Sequence, residues 1–258
     1  MSLSANMKIS IITVVRNNEF TIKCAIDSVL NQSYKNIEYI IIDGKSTDGT
    51  IEIIKSYGNK VTKFISESDN GIYDAMNKGI ALSTGEVVGI LNSDDFYENE
   101  HVLKDVMDAF QNKKVDAVYG DLLYVSSKDP SVIKRVWESR SYSDGLFQKG
   151  WHPAHPTFFV KREIYDRFGV FNLDFRIAAD YELMLRFIVK YKITLEYLPK
   201  TLVRMRLGGE SNGSIFNIIK ANKECLRSWK VNELKVNPLI FFAKPFYKIL
   251  QYIKALWV

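Results

Sequence analysis

Cysteine, histidine and proline are scarce in this chain, which has two, three and six of them among 258 residues. The two cysteines, Cys24 and Cys225, lie far apart without the spacing of a disulfide framework, so a reducing environment is predicted. His152 and His155 have no cysteine or carboxylate at matching spacing, which argues against a zinc site. The glycine-rich motifs of dinucleotide and P-loop sites and the G-x-S-x-G motif are absent, so dehydrogenase, P-loop and serine hydrolase functions lose support.

The net positive charge of the chain comes from its C-terminal part. Residues 220–258 contain eight Lys or Arg and two Glu, a net charge of +6, whereas the whole chain carries +5. No nucleic-acid partner is predicted. A polar stripe of Lys244, Lys248, Gln251 and Lys254 among large apolar side chains favours an interfacial membrane helix. The alternative is a helix packed on the core or in a dimer.

Acidic residues follow two of the three apolar segments that are predicted to be strands. Residues 8–15 and 39–42 alternate with a helical pattern at residues 22–30, and a third strand is predicted at 87–91. Asp43 ends the second strand, while Asp94 and Asp95 follow the third. Ligands of open α/β sheets bind at these strand ends. Two carboxylates there suit Mg²⁺ or Mn²⁺ shared with a nucleotide diphosphate, although Asp-Asp pairs also serve as turn residues and helix caps.

Five segments together resemble successive blocks of glycosyltransferase family 2, in order and in spacing. They are residues 11–17 (IITVVRN), 41–50 (IIDGKSTDGT), 69–79 (DNGIYDAMNKG), 92–95 (NSDD) and 178–186 (AADYELMLR). The resemblance covers roughly residues 7–210. It implies an α/β fold of GT-A type, a Rossmann-like mixed sheet flanked by helices. It also implies a nucleotide-sugar donor, usually a UDP-sugar, a divalent metal, and inversion at the anomeric carbon. The basic composition beyond the matching residues predicts a C-terminal helical appendage.

The resemblance assigns the metal and the catalytic base. Asp94 and Asp95 would hold Mn²⁺ or Mg²⁺, with Asp94 also near the nucleotide, and Asp180 would be the general base. This chain has Asn92 where many members have Asp, and Ala179 where a Glu usually precedes the base. For Asp180, the alternative is an acidic residue that interacts with the helix macrodipole.

The donor and acceptor sides are assigned in the same way. Asp43 would hold the base or ribose, although an Asx-turn before Gly44 explains the same residue. Asp69 would contact the nucleotide, with helix capping as the alternative. Trp151 and His155 are predicted to lie on the acceptor side or to have buried structural roles. The remaining predicted nucleotide-binding residues are Thr13, Val15, Arg16 and Lys78.

These assignments predict a catalytic domain at residues 7–211 and a basic helical tail at 212–258. The predicted activity is a metal-dependent inverting glycosyltransferase of hexosyltransferase type. Its acceptor would be a glycan or lipid-linked hydroxyl in cell-surface polysaccharide synthesis, and its location cytoplasmic, peripheral on the inner face of the plasma membrane. Two rivals are a nucleotidyltransferase, which should have a glycine-rich loop after the first strand, and a non-catalytic sugar-nucleotide-binding protein, which would need no base at Asp180.

Overall fold

The computed structural model of the protein describes residues 7–208 and 215–236. The strands in these residues are β1 (Ile9–Val15), β2 (Ile37–Asp43), β3 (Lys63–Ser66), β4 (Val87–Ile90), β5 (Phe96–Tyr97), β6 (Ala117–Val125), β7 (Ile133–Trp137), β8 (Phe159–Lys161) and β9 (Leu195–Arg206). The helices are α1 (Ile22–Leu30), α2 (Thr50–Ser56), α3 (Ile72–Leu82), α4 (Val102–Asn112), α5 (Arg162–Phe168), α6 (Ala179–Leu185) and α7 (Ile215–Val231).

The N-terminal half of the sheet is parallel, in the order β3-β2-β1-β4. Every residue of β1 is buried, as its mainly apolar sequence predicts for a parallel strand that is covered on both faces. Successive strands are added on one side of β1 as far as β3, and β4 then pairs on its other side. Such a switch point is where open α/β sheets bind ligands. The ends of β1 and β4 therefore mark the expected site.

The second half of the sheet is mixed. β8 runs antiparallel to β4 and to β6, and β9 runs parallel to β6. β7 forms an antiparallel pair with β6, and β9 pairs antiparallel with β5, where Phe96 lies opposite Arg204. Because β5 directly follows Asp94 and Asp95, this last pairing holds β9 beside the acidic motif.

Helices cover both faces of the sheet, and each face has its own hydrophobic core. One core joins α1, α2 and α4 to the sheet through side chains such as Ile26 and Val106. The other joins α3, α5, α6 and α7 through side chains such as Met76 and Leu183. This layered α/β architecture around a mixed sheet confirms the predicted fold class.

The appendage predicted at the C-terminus begins with a helix that packs on the sheet domain. Trp229 of α7 is 1% exposed, and its indole N–H donates to the Tyr181 hydroxyl of α6 at 2.9 Å. The domain boundary predicted after residue 211 thus precedes a helix that shares a hydrophobic core with the domain. The polar stripe predicted at residues 244–254 lies outside the described residues. Within the described ranges, none of the helices has the length and hydrophobicity to cross a bilayer.

The sequence Thr157-Phe158-Phe159-Val160 is typical of a strand, but β8 begins only at Phe159. Thr157 instead closes a short 3-10 turn, His155–Thr157, in which its hydroxyl lies 3.0 Å from the Gly120 carbonyl and 2.8 Å from the Ala154 carbonyl. β-Branched residues favour strands, but a buried hydroxyl needs acceptors, and here that requirement determines the backbone. The turn places His155 just before the start of β8, beside α6.

Candidate active site

The loop that follows β1 connects the ends of three strands. Asn18 donates from its amide to the Ser93 hydroxyl at 2.8 Å, and the Thr21 hydroxyl donates to the Ser93 carbonyl at 3.0 Å. The backbone N–H of Asn17 donates to the Ser46 hydroxyl at 2.8 Å. The loops after β1, β2 and β4 therefore form one hydrogen-bonded unit at the switch point of the sheet.

Asp43 is fully buried at the end of β2. Its carboxylate accepts hydrogen bonds from the Ser46 N–H at 3.0 Å, from the Ser66 hydroxyl at 2.6 Å, and from the Ser46 hydroxyl. The Ser46 contacts agree with the turn role that the sequence offered as the alternative, although the backbone bond spans three residues and not the two of an Asx-turn. Asp43 shapes the loop, and a direct contact with nucleotide stays a prediction.

Arg16 and Asp69 meet at Gly44. A Cβ atom at position 44 would lie 2.4 Å from Asp69 Oδ2 and 3.4 Å from Arg16 Cβ, so a side chain there would displace the Asp69 carboxylate. Asp69 also accepts the Gly71 N–H at 2.9 Å. The structure thus brings two predicted donor-side residues to the carboxyl ends of β1, β2 and β3.

The other predicted nucleotide-binding residues lie differently. The Thr13 hydroxyl is buried 3.1 Å from the Tyr39 hydroxyl, and the Val15 side chain is also in the core, so only their backbones can line a pocket. Lys78 donates to the Ser68 carbonyl at 2.9 Å and pairs with Glu67 at 2.8 Å. Lys78 therefore holds the loop that carries Asp69.

The acidic motif after β4 combines buried and accessible oxygens. Asp95 is fully buried, and its carboxylate accepts the Arg206 N–H and the Asn92 side-chain amide, both at 3.3 Å. Asn92 Oδ1 is buried and has no hydrogen-bond partner among the described residues. Asp94, partly exposed, lies between them in sequence. An unpartnered buried oxygen beside two carboxylates is a feature that a bound cation would satisfy.

Ionisation of both carboxylates is opposed by their surroundings. Burial raises the pKa of Asp94, whereas the positive charges of Arg206 and His155 lower it in part. Burial raises the pKa of Asp95 well above its ordinary value, and the adjacent charge of Asp94 raises it further. Two neighbouring carboxylates removed from water need a compensating positive charge to be ionised together.

These oxygens fit a hard divalent cation. The partly exposed Asp94 carboxylate and the buried, unpartnered Asn92 Oδ1 offer oxygen ligands, while both oxygens of Asp95 already accept hydrogen bonds. In the described residues, no group of three or more His, Cys, Asp or Glu side chains could enclose an ion. Mg²⁺ and Mn²⁺ commonly take one or two protein carboxylates and complete their coordination with water and substrate phosphates. The donor set agrees with that mode of binding.

Asp180, in the first turn of α6, faces His155. The distance between His155 Nδ1 and Asp180 Oδ2 is 3.0 Å, and the Tyr73 hydroxyl lies 3.3 Å from the other carboxylate oxygen. Burial opposes ionisation of Asp180, but the charge and hydrogen bond of His155 outweigh it, together with the Tyr181 N–H and the charge of His152. The pKa of Asp180 is consequently lowered to about 2.

His155 connects the acidic motif with Asp180. Its positive charge lowers the pKa of Asp94 as well as that of Asp180, so it lies close enough to interact with both. Its side chain is 34% exposed. The structure therefore brings Asp94, His155 and Asp180 into one partly accessible cluster.

Trp151 lies in an aromatic cluster. It is buried against Tyr119, Tyr142 and Phe147, and its indole nitrogen has no hydrogen-bond partner among the described residues. This burial agrees with the structural alternative, and an acceptor-side role stays a prediction.

Arg206 is a site residue that the sequence did not indicate. Besides the N–H bond to Asp95, its guanidinium donates to the Asp94 carbonyl at 2.5 Å and lies 4.7 Å from the centre of the Phe96 ring. It is separated from the acidic motif by more than a hundred residues. The only signal in the sequence is a cation at the end of a strand.

Comparisons with known proteins agree with this geometry. The sequence profile described as Glycosyl transferase family 2 matches residues 10–169. A PGL/p-HBAD biosynthesis glycosyltransferase of Mycobacterium bovis is 27% identical over 208 residues, which are 79% of this chain and 78% of that protein.

Two solved structures share the fold. S. aureus TarS 1-349 in complex with UDP-GlcNAc has a TM-score of 0.68 at 18% identity, covering 90% of this chain and 68% of that chain. The mannosyltransferase PcManGT from Pyrobaculum calidifontis, in complex with GDP-Man and Mn²⁺, has a TM-score of 0.65 at 18% identity, covering 97% and 74%.

Proposed function

Because the chain belongs to glycosyl transferase family 2 and is therefore a sugar-transferring enzyme with a GT-A type fold, we propose that it is metal-dependent and inverting. Its donor is a nucleotide-sugar and its acceptor a hydroxyl group. The observation that carries this proposal is the pairing of His155 with Asp180, within electrostatic range of Asp94. A metal motif and a carboxylate base that are close to each other suit a displacement in which the leaving group departs opposite the attacking oxygen.

Asp94 and Asn92 Oδ1 are the residues that would hold the metal, with Asp95 behind them. A divalent ion bound there supplies a Lewis acid that neutralises the diphosphate leaving group. Arg206 fixes the loop that carries these oxygens, because it bonds to the Asp94 carbonyl and the Asp95 carboxylate.

Asp180 is the proposed general base. Its low pKa keeps it ionised at neutral pH, so it can accept a proton without first losing one. The attacking hydroxyl becomes strongly acidic as its bond to the anomeric carbon forms, so even a weakly basic carboxylate can take the proton late in the reaction. His155 holds Oδ2, and the Asp180 carboxylate is thereby oriented.

The donor is proposed to be a UDP-sugar, on the resemblance of the sequence blocks to family 2. One structural relative was solved with UDP-GlcNAc and the other with GDP-Man and Mn²⁺, which supports the class of donor rather than one nucleotide. Calorimetric titration with UDP-, GDP- and dTDP-sugars in Mn²⁺ tests the proposal. We expect micromolar to millimolar affinity for one nucleotide series, and no binding in any series would refute the function.

We further propose that the acceptor is a glycan or a lipid-linked molecule in cell-surface polysaccharide synthesis. The enzyme would use it at the inner face of the plasma membrane. This proposal rests on the basic, aromatic-rich sequence of residues 238–258, which lie outside the described residues. Flotation of the intact protein and a 1–237 truncation with anionic vesicles tests it, and equal flotation of the two would refute a membrane role for the segment.

Replacing His155 with glutamine should move the acid limb of turnover to higher pH. Glutamine can still donate to Asp180, but it removes the positive charge, so the raising effect of burial on the Asp180 pKa is less opposed. In the wild type, Asp180 stays ionised down to about pH 2. In the variant, its ionised fraction, and with it kcat, should begin to fall at a higher pH as the solution is acidified.

The measurement is kcat between pH 4.5 and 8 at saturating donor and Mn²⁺, with donor affinity determined at each pH. The pKa of Asp94 also responds to His155. The pH profile of donor affinity therefore distinguishes an effect on Asp94 from an effect on Asp180. His101→Gln is the matched control, because His101 is 59% exposed and contacts Ser33 and Glu100 instead. Superimposable kcat profiles for wild type and His155→Gln would contradict the prediction.

A further inference from the structure

The helix that carries Asp180 has no capping side chain of its own. α6 begins after Ala178, which makes no side-chain hydrogen bond at the N-cap position. Helix N-termini leave their first backbone N–H groups without intrahelical partners, and Ser, Thr, Asp or Asn usually satisfy one of them. The sequence Arg176-Ile177-Ala178-Ala179 offers none of these residues. The turn that leads into α6 therefore has no capping side chain of its own.

Glu224 of α7 instead accepts the backbone N–H groups of the turn that leads into α6. Its carboxylate accepts the Ile177 N–H at 2.8 Å and the Ala178 N–H at 2.9 Å. It also accepts the Arg176 N–H at 3.1 and 3.2 Å. Glu224 is 9% exposed, so these three donors replace the water that its charge would otherwise bind.

The segment before Asp180 is also held from the opposite side. The Tyr73 hydroxyl of α3 donates to the Ile177 carbonyl at 2.8 Å, so the peptide groups of Ile177 are fixed by α7 at the N–H and by α3 at the carbonyl. The same Tyr73 hydroxyl lies 3.3 Å from Asp180 Oδ1. A shift of this segment would therefore move Asp180 relative to its hydrogen-bonding neighbours.

α7 is fastened to α6 beyond Asp180 as well. Asn232, just past the end of α7, donates to Glu182 Oε1 at 2.9 Å, and Trp229 donates to the Tyr181 hydroxyl at 2.9 Å. Contacts from the α7 segment thus lie on both sides of Asp180 in sequence, while Asp180 itself faces His155. This arrangement is more than packing of a terminal helix, because a buried charge is directed at the backbone of one particular turn.

We propose that Glu224 is a positioning residue for the base: its carboxylate fixes the 176–178 turn and thereby the location of Asp180. The proposal rests on the proposed role of Asp180 as general base. Glu224 touches neither donor nor metal residues among the described contacts, so its effect should fall on turnover and not on donor affinity.

Glu224→Gln tests the proposal, because it keeps the shape but removes the charge and one acceptor oxygen. Turnover is measured as nucleoside diphosphate released from the tightest-binding donor of the UDP-, GDP- and dTDP-sugar panel in Mn²⁺. It is expressed per donor-binding site counted by calorimetry, so that unfolded protein does not contribute. We expect kcat to fall by about tenfold to a hundredfold with donor affinity unchanged, the scale of a small misplacement of a reacting group.

A double-mutant cycle with Asp180→Asn separates positioning from general destabilisation. If Glu224 acts through Asp180, Glu224→Gln should lower kcat strongly in the wild type and hardly at all in the Asp180→Asn background. The same fold-loss in both backgrounds, or a wild-type kcat per binding site, would overturn the proposal. A near-normal kcat for Asp180→Asn alone would instead refute the proposed function.

Two further variants guard the experiment. Glu224→Asp keeps the charge but is shorter, so it should lose only part of the contacts and give an intermediate kcat. This variant tests the proposal if Glu224→Gln folds poorly. An unchanged kcat for Glu224→Asp would count against the proposal. Glu233→Gln is the matched control near the end of α7, because Glu233 is 87% exposed and should leave kcat unchanged.

Discussion

Turnover should fall by about two orders of magnitude or more when Asp180 is replaced by asparagine, the usual contribution of a general base. Asparagine has nearly the same shape and can keep a hydrogen bond with His155, but it cannot accept the proton of the attacking hydroxyl. Donor and metal affinity should stay close to wild type, because Asp180 contacts His155 and Tyr73 rather than the acidic motif. Single-turnover release of nucleoside diphosphate at saturating donor and Mn²⁺ measures the effect.

Asp166→Asn is a suitable control for this experiment. Asp166 is an exposed carboxylate at the end of α5 that pairs with Arg162 at 3.0 Å, with a side chain that is 58% exposed. Its removal should change neither affinity nor turnover. If Asp180→Asn released nucleotide at the rate of this control, the base would have to be sought elsewhere.

Replacing Asp94 with alanine should remove the dependence of donor binding on Mn²⁺. The variant loses a hard ligand for the ion, so the diphosphate charge is neutralised poorly. It should nevertheless remain folded, because burial already raises the pKa of Asp94 and opposes its ionisation. Calorimetry of donor binding with Mn²⁺ and with a chelator gives the measurement, and thermal unfolding gives the check on the fold.

Asp95→Ala should have the same effect on binding but a different effect on stability. Asp95 accepts the Arg206 N–H and the Asn92 amide, so its loss leaves two buried donors without an acceptor, an effect of about 1–3 kcal/mol each. Its melting temperature should therefore fall below that of Asp94→Ala. Donor affinity that still responds to Mn²⁺ in both variants would refute the metal assignment.

The donor half of the fold could be predicted because its signals are local. The apolar runs of β1, β2 and β4 identify buried strands, and the acidic residues lie within a few positions of their ends. Parallel βαβ order then places those ends at one edge of the sheet without further information. Asp69 and Arg16 illustrate this, since both reach Gly44 from neighbouring loops.

The second half could not be predicted to the same degree, because its contacts join segments that are distant in sequence. Nothing near Arg206 indicates that it bonds to Asp94 and Asp95, and nothing near Glu224 indicates a helix start 46 residues earlier. Tyr73 has the helical spacing of a core residue and is buried, yet its hydroxyl reaches Asp180. Periodicity locates a side chain on a helix face but does not show what its polar end meets.

The pairing of β9 with β5 and of α7 with the turn before Asp180 also bears on the order in which the nascent protein matures. Chains emerge from the ribosome N-terminus first, and early segments can fold before later ones appear. The residues around Arg16, Gly44 and Asp69 are synthesised well before Arg206 and Glu224. A chain synthesised only as far as Asp180 thus lacks both Arg206, which bonds to the acidic motif, and Glu224, which holds the turn before Asp180.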